Sequence, residues 1–77
     1  MPVIARLQYC LIAMYFDDHN PPHFHIHGLD GREAEVGLRE LVVLKGEVDR
    51  RAAREALDWA KSHGALLEET WNAFQGR

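Results

Sequence analysis

Residues 9–28 read YCLIAMYFDDHNPPHFHIHG, and this stretch decides the fold of the chain. Its first part, Tyr9–Phe16, is an unbroken aromatic and aliphatic run of strand length that ends in the turn-forming segment Asp17–Pro22. Side chains alternate across a strand, so both faces of this run are apolar. One face carries Tyr9, Leu11, Ala13 and Tyr15, and the other carries Cys10, Ile12, Met14 and Phe16. The pattern predicts a central strand covered on both sides, with another subunit as one candidate cover.

The second part, His23–Gly28, predicts a neighbouring strand whose two faces differ in chemistry. Phe24 and Ile26 point to one side, so that face is apolar. The opposite face is imidazole and carries His23, His25 and His27.

The remaining strands follow from turn residues and alternation. Asp30-Gly31 predicts a hairpin turn. The strand after it, Arg32–Leu38, places Ala34, Val36 and Leu38 inward and Glu33 and Glu35 outward. Leu41–Lys45 predicts a fourth strand that ends at the breaker Gly46, and Ile4–Leu7 predicts a short strand at the edge.

The last third of the chain has helical periodicity. Asp49 is a good N-cap for a helix running to about His63, with an apolar stripe at Ala53, Ala56, Leu57 and Ala60. Gly64 predicts its C-terminal break, and a second helix over about Ala65–Gln75 follows. One kinked helix remains an alternative, because the stripe nearly keeps its phase through Gly64.

Strands followed by helices predict an α+β fold. We expect an antiparallel sheet of about four strands followed by two C-terminal helices, in a single domain over residues 1–77. A domain of this size has a marginal core, and small folds of this kind usually gain stability from a disulfide, a metal or a partner subunit. An internal disulfide is excluded, because Cys10 is the only cysteine.

Composition and charge indicate the cellular compartment and disfavour two classes of partner, nucleic acids and membranes. The formal net charge is −3 with both signs interspersed, which disfavours tight binding to nucleic acid. No apolar run reaches the roughly 20 residues that a membrane helix needs. The solitary thiol predicts a reducing, cytoplasmic setting, and its place in an apolar strand predicts a buried hydrophobe rather than a nucleophile.

The histidine turn, His19–His25, is the candidate site. Pro21 and Pro22 stiffen it, which holds His19 in a defined place relative to His23. His23 and His25 lie about 6.8 Å apart along one strand face, close enough to lean onto one ion. His27 is too far along the strand to join them. His19, His23 and His25 are therefore the candidate ligands in one of three interpretations of the turn, in which it binds a divalent transition metal such as zinc.

Two other roles compete for the same turn. The imidazoles could satisfy turn backbone in a purely structural way. They could also form a ligand or partner surface, made of Asp18, His19, Asn20, His23, Phe24 and His25. A metal-free pair of histidines could serve as general acid and base on a phosphodiester, but that chemistry needs a phosphate-binding cation, and no arginine or lysine flanks the turn.

Several motifs together resemble one family, the domain of unknown function family 4160. They are Met1-Pro2-Val3-Ile4, the string Asp18-His19-Asn20-Pro21-Pro22-His23-Phe24-His25, and Trp59, His63, Leu67 and Trp71 at intervals of four residues. The resemblance covers nearly the whole chain. It implies a small bacterial protein of uncharacterised activity, often encoded beside another small protein, and hence a toxin–antitoxin-like pairing. It carries over no catalytic residue.

Two hypotheses of different classes follow. The leading one is a small bacterial binding module with the histidine turn at its functional surface and a small protein or a second copy as partner. The alternative is a metal-dependent or histidine-based hydrolase, perhaps a nuclease, that uses His19, His23 and His25. The sequence does not determine whether the protein is an enzyme.

Overall fold

Five strands form one antiparallel sheet in which each strand lies beside its neighbours in the chain, in the order β1-β2-β3-β4-β5. The structure, a computed structural model, describes residues 2–75. The strands are β1 Val3–Arg6, β2 Cys10–Ala13, β3 His23–Gly28, β4 Glu33–Gly37 and β5 Val43–Gly46. Two helices follow, α1 Arg50–Ser62 and α2 Gly64–Gln75. The α+β prediction is confirmed, with the edge strand included in the sheet.

The core lies between one face of the sheet and the two helices. Phe24 and Ile26 of β3 are buried there beside Val36 of β4, as alternation predicts. The helices contribute Ala52, Ala56, Ala60, Leu67 and Trp71. Small alanines line α1 where it crosses β2 and β3, which lets the helix lie close to the sheet.

The strand predicted over Tyr9–Phe16 is shorter than expected. β2 ends at Ala13, and Phe16 is 66% exposed instead of pointing inward with Met14. The chain turns away from the sheet after Met14, and Asp17 has a left-handed backbone with φ 56°. The face that carries Cys10, Ile12 and Met14 is fully buried. On the opposite face Ala13 is fully buried, whereas Leu11 and Tyr15 are only partly buried.

The helical region consists of two helices, so the single kinked helix is wrong. Asp49 caps α1 as predicted, and its carboxylate accepts the backbone N–H of Arg51 at 3.0 Å. The predicted break falls one residue earlier than expected. His63 alone separates the helices and Gly64 begins α2, because His63 donates its backbone N–H to Ala60 and accepts that of Leu67.

The second face of the sheet carries the histidines and is polar. In β4, Glu35 lies opposite His25 and Glu33 lies opposite His27. The segment between β2 and β3 folds over one end of this face and brings Asp18 onto it. Within residues 2–75, neither helix has the length and apolar character that a membrane crossing requires.

Candidate metal centre

The segment joining β2 to β3 is held at several points. The backbone N–H of Asp17 donates to the carbonyl of Phe74, and the Gln75 side chain donates to the carbonyl of Asp18 at 2.9 Å. At its other end, the Pro22 carbonyl accepts the N–H of Leu38 just after β4. The histidine turn is thus fixed to α2 and to the sheet, which places its side chains accurately.

His23 is fully buried, and its two ring nitrogens have different surroundings. Nδ1 lies 2.7 Å from the carbonyl oxygen of Pro21. A carbonyl only accepts, so Nδ1 carries the proton and donates it. Nε2 lies 3.0 Å from Asp18 Oδ2, yet within residues 2–75 it has no hydrogen-bond partner. In a neutral ring this nitrogen is a bare lone pair that faces a carboxylate oxygen.

His25 brings a second imidazole to the same oxygen. Its Nε2 lies 2.9 Å from Asp18 Oδ2, and its Nδ1 lies 3.5 Å from the Glu33 carboxylate. Nδ1 is buried and lacks a hydrogen bond within the described part of the chain. Asp18 Oδ2 is therefore the point at which two strand histidines meet.

Asp18 is ionised in this environment. Burial raises the pKa of its carboxyl group, but the hydrogen bond from the His25 ring and the one from the His19 backbone N–H lower it, and the charges of His23 and His25 add to that effect. The net result is a pKa below the ordinary value. A carboxylate accepts hydrogen bonds and binds cations, and it donates nothing to a bare imidazole nitrogen.

His19 and Glu35 complete the group from the solvent side. His19 is 67% exposed, and its ring lies against that of His23 with 4.8 Å between the centroids. Glu35 Oε1 lies 3.7 Å from Nε2 of His19 and 3.7 Å from Nε2 of His23. We call the five residues the histidine–carboxylate cluster: Asp18, His19, His23, His25 and Glu35.

The spacing within the cluster suits a metal ion. Two sets, Asp18 with His23 and His25, and His19 with His23 and Glu35, each place three ligand atoms within 4.8 Å of one another. Two ligands bonded to one ion at about 2.1 Å and at the usual angles lie roughly 3.0 to 3.4 Å apart. The contacts of Asp18 Oδ2 at 2.9 and 3.0 Å lie at the short end of that separation.

The charge of this face favours a cation. Asp18, Glu33 and Glu35 all lie on it, and the ion pairs of these carboxylates within residues 2–75 run to histidines. Arg39 is paired with Glu68 of α2 at 3.0 Å, whereas the register places Arg6 of β1 and Lys45 of β5 on the same face as the histidines. Carboxylates thus surround the histidines, and the cations of this face lie on its two edge strands.

The predicted site residues separate into two groups. His19, His23 and His25 converge with Asp18, whereas Asn20 is exposed and belongs to neither ligand set. Of the residues expected at the surface, Phe24 is fully buried under the helices, because alternation sends its side chain to that face, and His23 is fully buried on the opposite face. Glu35 was not predicted as a site residue. The register of the Asp30-Gly31 hairpin was the available signal, since it sets Glu35 opposite His25.

His27 and Cys10 lie outside the cluster, as expected. The His27 ring stacks on that of His25 with 6.2 Å between centroids, and its Nε2 bonds to the Tyr15 hydroxyl at 2.8 Å. Burial, together with Glu33 and Asp18, raises the pKa of Tyr15, which keeps its hydroxyl protonated. Burial also raises the pKa of the Cys10 thiol to about 12, as befits a buried hydrophobe.

Comparison with known proteins gives one match. The family model described as "Domain of unknown function (DUF4160)" matches residues 10–72, which include all five residues of the histidine–carboxylate cluster. No curated protein and no solved structure matches the chain.

Proposed function

The chain belongs to the DUF4160 family, whose description assigns no activity, and we propose that it is a metal-binding module whose histidine–carboxylate cluster holds one divalent transition metal ion. Asp18, His23 and His25 would form the buried part of the site, and His19 and Glu35 its solvent side. Imidazole and carboxylate donors without a thiolate suit zinc and its first-row neighbours.

One observation carries this proposal: two imidazoles converge on one carboxylate oxygen in a largely buried place, and the nitrogen that His23 brings to it has no hydrogen-bond partner within residues 2–75. The Pro21 carbonyl holds the proton of His23 on Nδ1, so Nε2 faces Asp18 bare. Buried acceptors that face each other are unfavourable unless a proton or a cation lies between them. A metal ion satisfies all three groups at once.

The surroundings of His23 match those of metal-bound histidines. Such rings almost always donate their second N–H to a carbonyl or a carboxylate, which fixes the tautomer and the ring orientation. His23 has this arrangement through the Pro21 carbonyl. Its burial also excludes the water that would otherwise satisfy the ring.

The test is calorimetric titration of the EDTA-treated protein with zinc, repeated with nickel and cobalt. We expect one site per chain, and a rise in melting temperature of roughly 10 to 20 °C when free zinc is about 100 times its Kd. His25→Gln and the exposed His19→Gln should weaken binding. His63→Gln is the matched control, because His63 stacks on Trp59 between the two helices. Equal zinc binding by all four proteins, or none by the unmodified chain, would refute the proposal.

A partner-binding role is the second candidate, and the edge strand supports it. Val42, Val43 and Leu44 are about half exposed in succession at β5, the last strand of the sheet. Contiguous exposed apolar residues at a sheet edge favour a protein contact. The family resemblance suggests a small protein encoded beside this one as the partner.

Light scattering coupled to size-exclusion chromatography tests that role, with the chain alone and mixed with the neighbouring gene product. Association that Leu44→Lys abolishes and the solvent-facing Leu66→Lys leaves intact would support it. A chain that stays monomeric when mixed with the neighbouring gene product would refute the partner-binding role. The nuclease alternative is the less favoured one, because carboxylates lie next to the histidines, whereas the cations of the same face, Arg6 and Lys45, lie on the edge strands.

A further inference from the structure

We infer that Glu33 is a positioning residue for the metal centre: supported by His27 and Tyr15, it holds the proton of the His25 ring on Nδ1 and so leaves Nε2 free to bind the ion. This inference rests on the proposed metal-binding function and extends it to three residues that hold no metal themselves.

Four side chains, Tyr15, His27, Glu33 and His25, contact one another in series along the histidine face. The Tyr15 hydroxyl lies 2.8 Å from His27 Nε2, and His27 Nδ1 lies 3.7 Å from Glu33 Oε1. The other oxygen of the same carboxylate lies 3.5 Å from His25 Nδ1. The edge of the Tyr15 ring also contacts the His25 ring, with 4.5 Å between centroids, so Tyr15 orients both imidazoles.

The chemistry of each group determines which nitrogen of each histidine ring carries the proton. A carboxylate only accepts, so a ring nitrogen that faces Glu33 is best satisfied when it carries a proton. His27 then has its proton on Nδ1, and its Nε2 accepts the Tyr15 hydroxyl proton. Without an ion, His25 Nε2 is hydrogen-bonded to Asp18. An ion bound at Nε2 requires the ring proton on Nδ1, and Glu33 is the carboxylate placed to accept it there.

The distances to Glu33 are longer than a normal hydrogen bond, and the side chain has room to shorten them. Its side chain is 53% exposed, whereas the two rings are packed between Tyr15 and the sheet. A displacement of a few tenths of an ångström brings either oxygen within bonding range. Binding of an ion at Nε2 strengthens the Nδ1–H as a donor, which favours that movement.

The experiment compares zinc affinity in four proteins: the unmodified chain, Glu33→Asp, Glu33→Ala and Glu47→Gln. Glu33→Asp keeps the charge and withdraws the carboxylate by one methylene, so it isolates position from charge. We expect both Glu33 variants to bind zinc 10- to 100-fold more weakly, the usual effect of removing such a support. Glu47 is exposed and pairs with Arg32, so Glu47→Gln is a charge control expected to stay within about twofold.

A second readout follows the proton itself. Two-bond ¹H–¹⁵N spectra of the zinc-loaded, histidine-labelled protein should show His25 with its proton on Nδ1, and that proton should exchange faster with water in Glu33→Ala. A Glu33→Asp affinity equal to that of the unmodified chain, or zinc on Nδ1 of His25, would overturn the role of Glu33 while leaving the metal centre intact. An unmodified chain that binds no zinc would overturn both.

Discussion

Asp18→Asn tests the chemistry of the cluster most sharply, because a site built for a metal ion and a structural ion pair predict losses of stability of different size. If the site is built for a metal ion, Asp18 Oδ2 of the metal-free protein accepts a hydrogen bond from the His25 ring at 2.9 Å and faces the bare Nε2 of a neutral His23 at 3.0 Å. An asparagine amide placed where Oδ2 lies donates one hydrogen to His23 and gives up the bond from the protonated His25 nitrogen. The substitution therefore replaces one unfavourable contact with a hydrogen bond and loses one favourable contact.

The size of the effect follows from these contacts. The new bond to His23 contributes about 1 kcal/mol, whereas loss of the charge-assisted bond from the His25 ring and weakening of the bond from the His19 backbone N–H to Oδ1 cost about 1.5 to 3 kcal/mol. We therefore expect the metal-free variant to be less stable than the unmodified protein by at most about 2 kcal/mol. Its zinc affinity should fall by more than about 100-fold, because a ligand is lost rather than a support.

If the rings instead carry protons and form a structural ion pair with Asp18, the same substitution breaks that pair. Removing one partner of a buried ion pair costs about 3 to 5 kcal/mol. Urea unfolding at pH 8 in EDTA separates the two cases, with zinc titration of the same samples. A metal-free Asp18→Asn protein destabilised by about 3 kcal/mol or more would refute the metal explanation.

Three further predictions concern the folded chain. The pKa of Asp18 is lowered in the folded state. The stability that this carboxylate contributes is therefore present above its unfolded pKa of 3.8 and is lost as the pH falls through the lowered pKa. Urea unfolding midpoints measured from pH 6 to 2 should show a loss of stability that Asp18→Asn lacks. Burial raises the pKa of Cys10 to about 12, so at pH 8 the thiol should react with a disulfide reagent only at the rate of unfolding. For the same reason, the free energy of unfolding should decline as the pH rises from about 9. Gly46→Ala should destabilise by about 2 kcal/mol or more, since φ is 75° and a Cβ would clash with the Glu33 carbonyl oxygen. Gly31→Ala, with φ 91° and open space, should cost less in the same denaturation assay.

The sequence predicted β3 to the residue and β2 poorly, and the two cases differ in what ends the strand. β3 begins after two prolines and ends at a glycine, so local chemistry fixes both ends. β2 is followed by apolar residues that suit a strand equally well. Its end is set by the tertiary fold, which places Phe16 beside Phe74 of α2, with 4.2 Å between ring centroids. No local pattern predicts that contact.

The candidate site divides in the same way. His19, His23 and His25 lie within seven residues, and a stiff turn with an alternating strand was enough to bring them together. Glu35 comes from a different strand and joins the cluster through the β3–β4 register, and Glu33 approaches His25 and His27 for the same reason. A sequence-based search for ligands therefore finds those that are local and misses those that cross-strand pairing supplies.

The position of the cluster links metal binding to the stability of the whole domain. Its residues come from the β2–β3 segment, β3 and β4. The helix α2 contacts the cluster at two points: the Gln75 side chain donates to the Asp18 carbonyl, and the Trp71 and His23 rings lie with 5.3 Å between their centroids. An ion at this point would join the sheet to the last helix, in a domain whose single cysteine excludes an internal disulfide. Because the ligands converge only in the folded chain, binding free energy becomes folding free energy. Zinc should therefore raise the free energy of unfolding of the sheet and of the last helix together, in one cooperative transition.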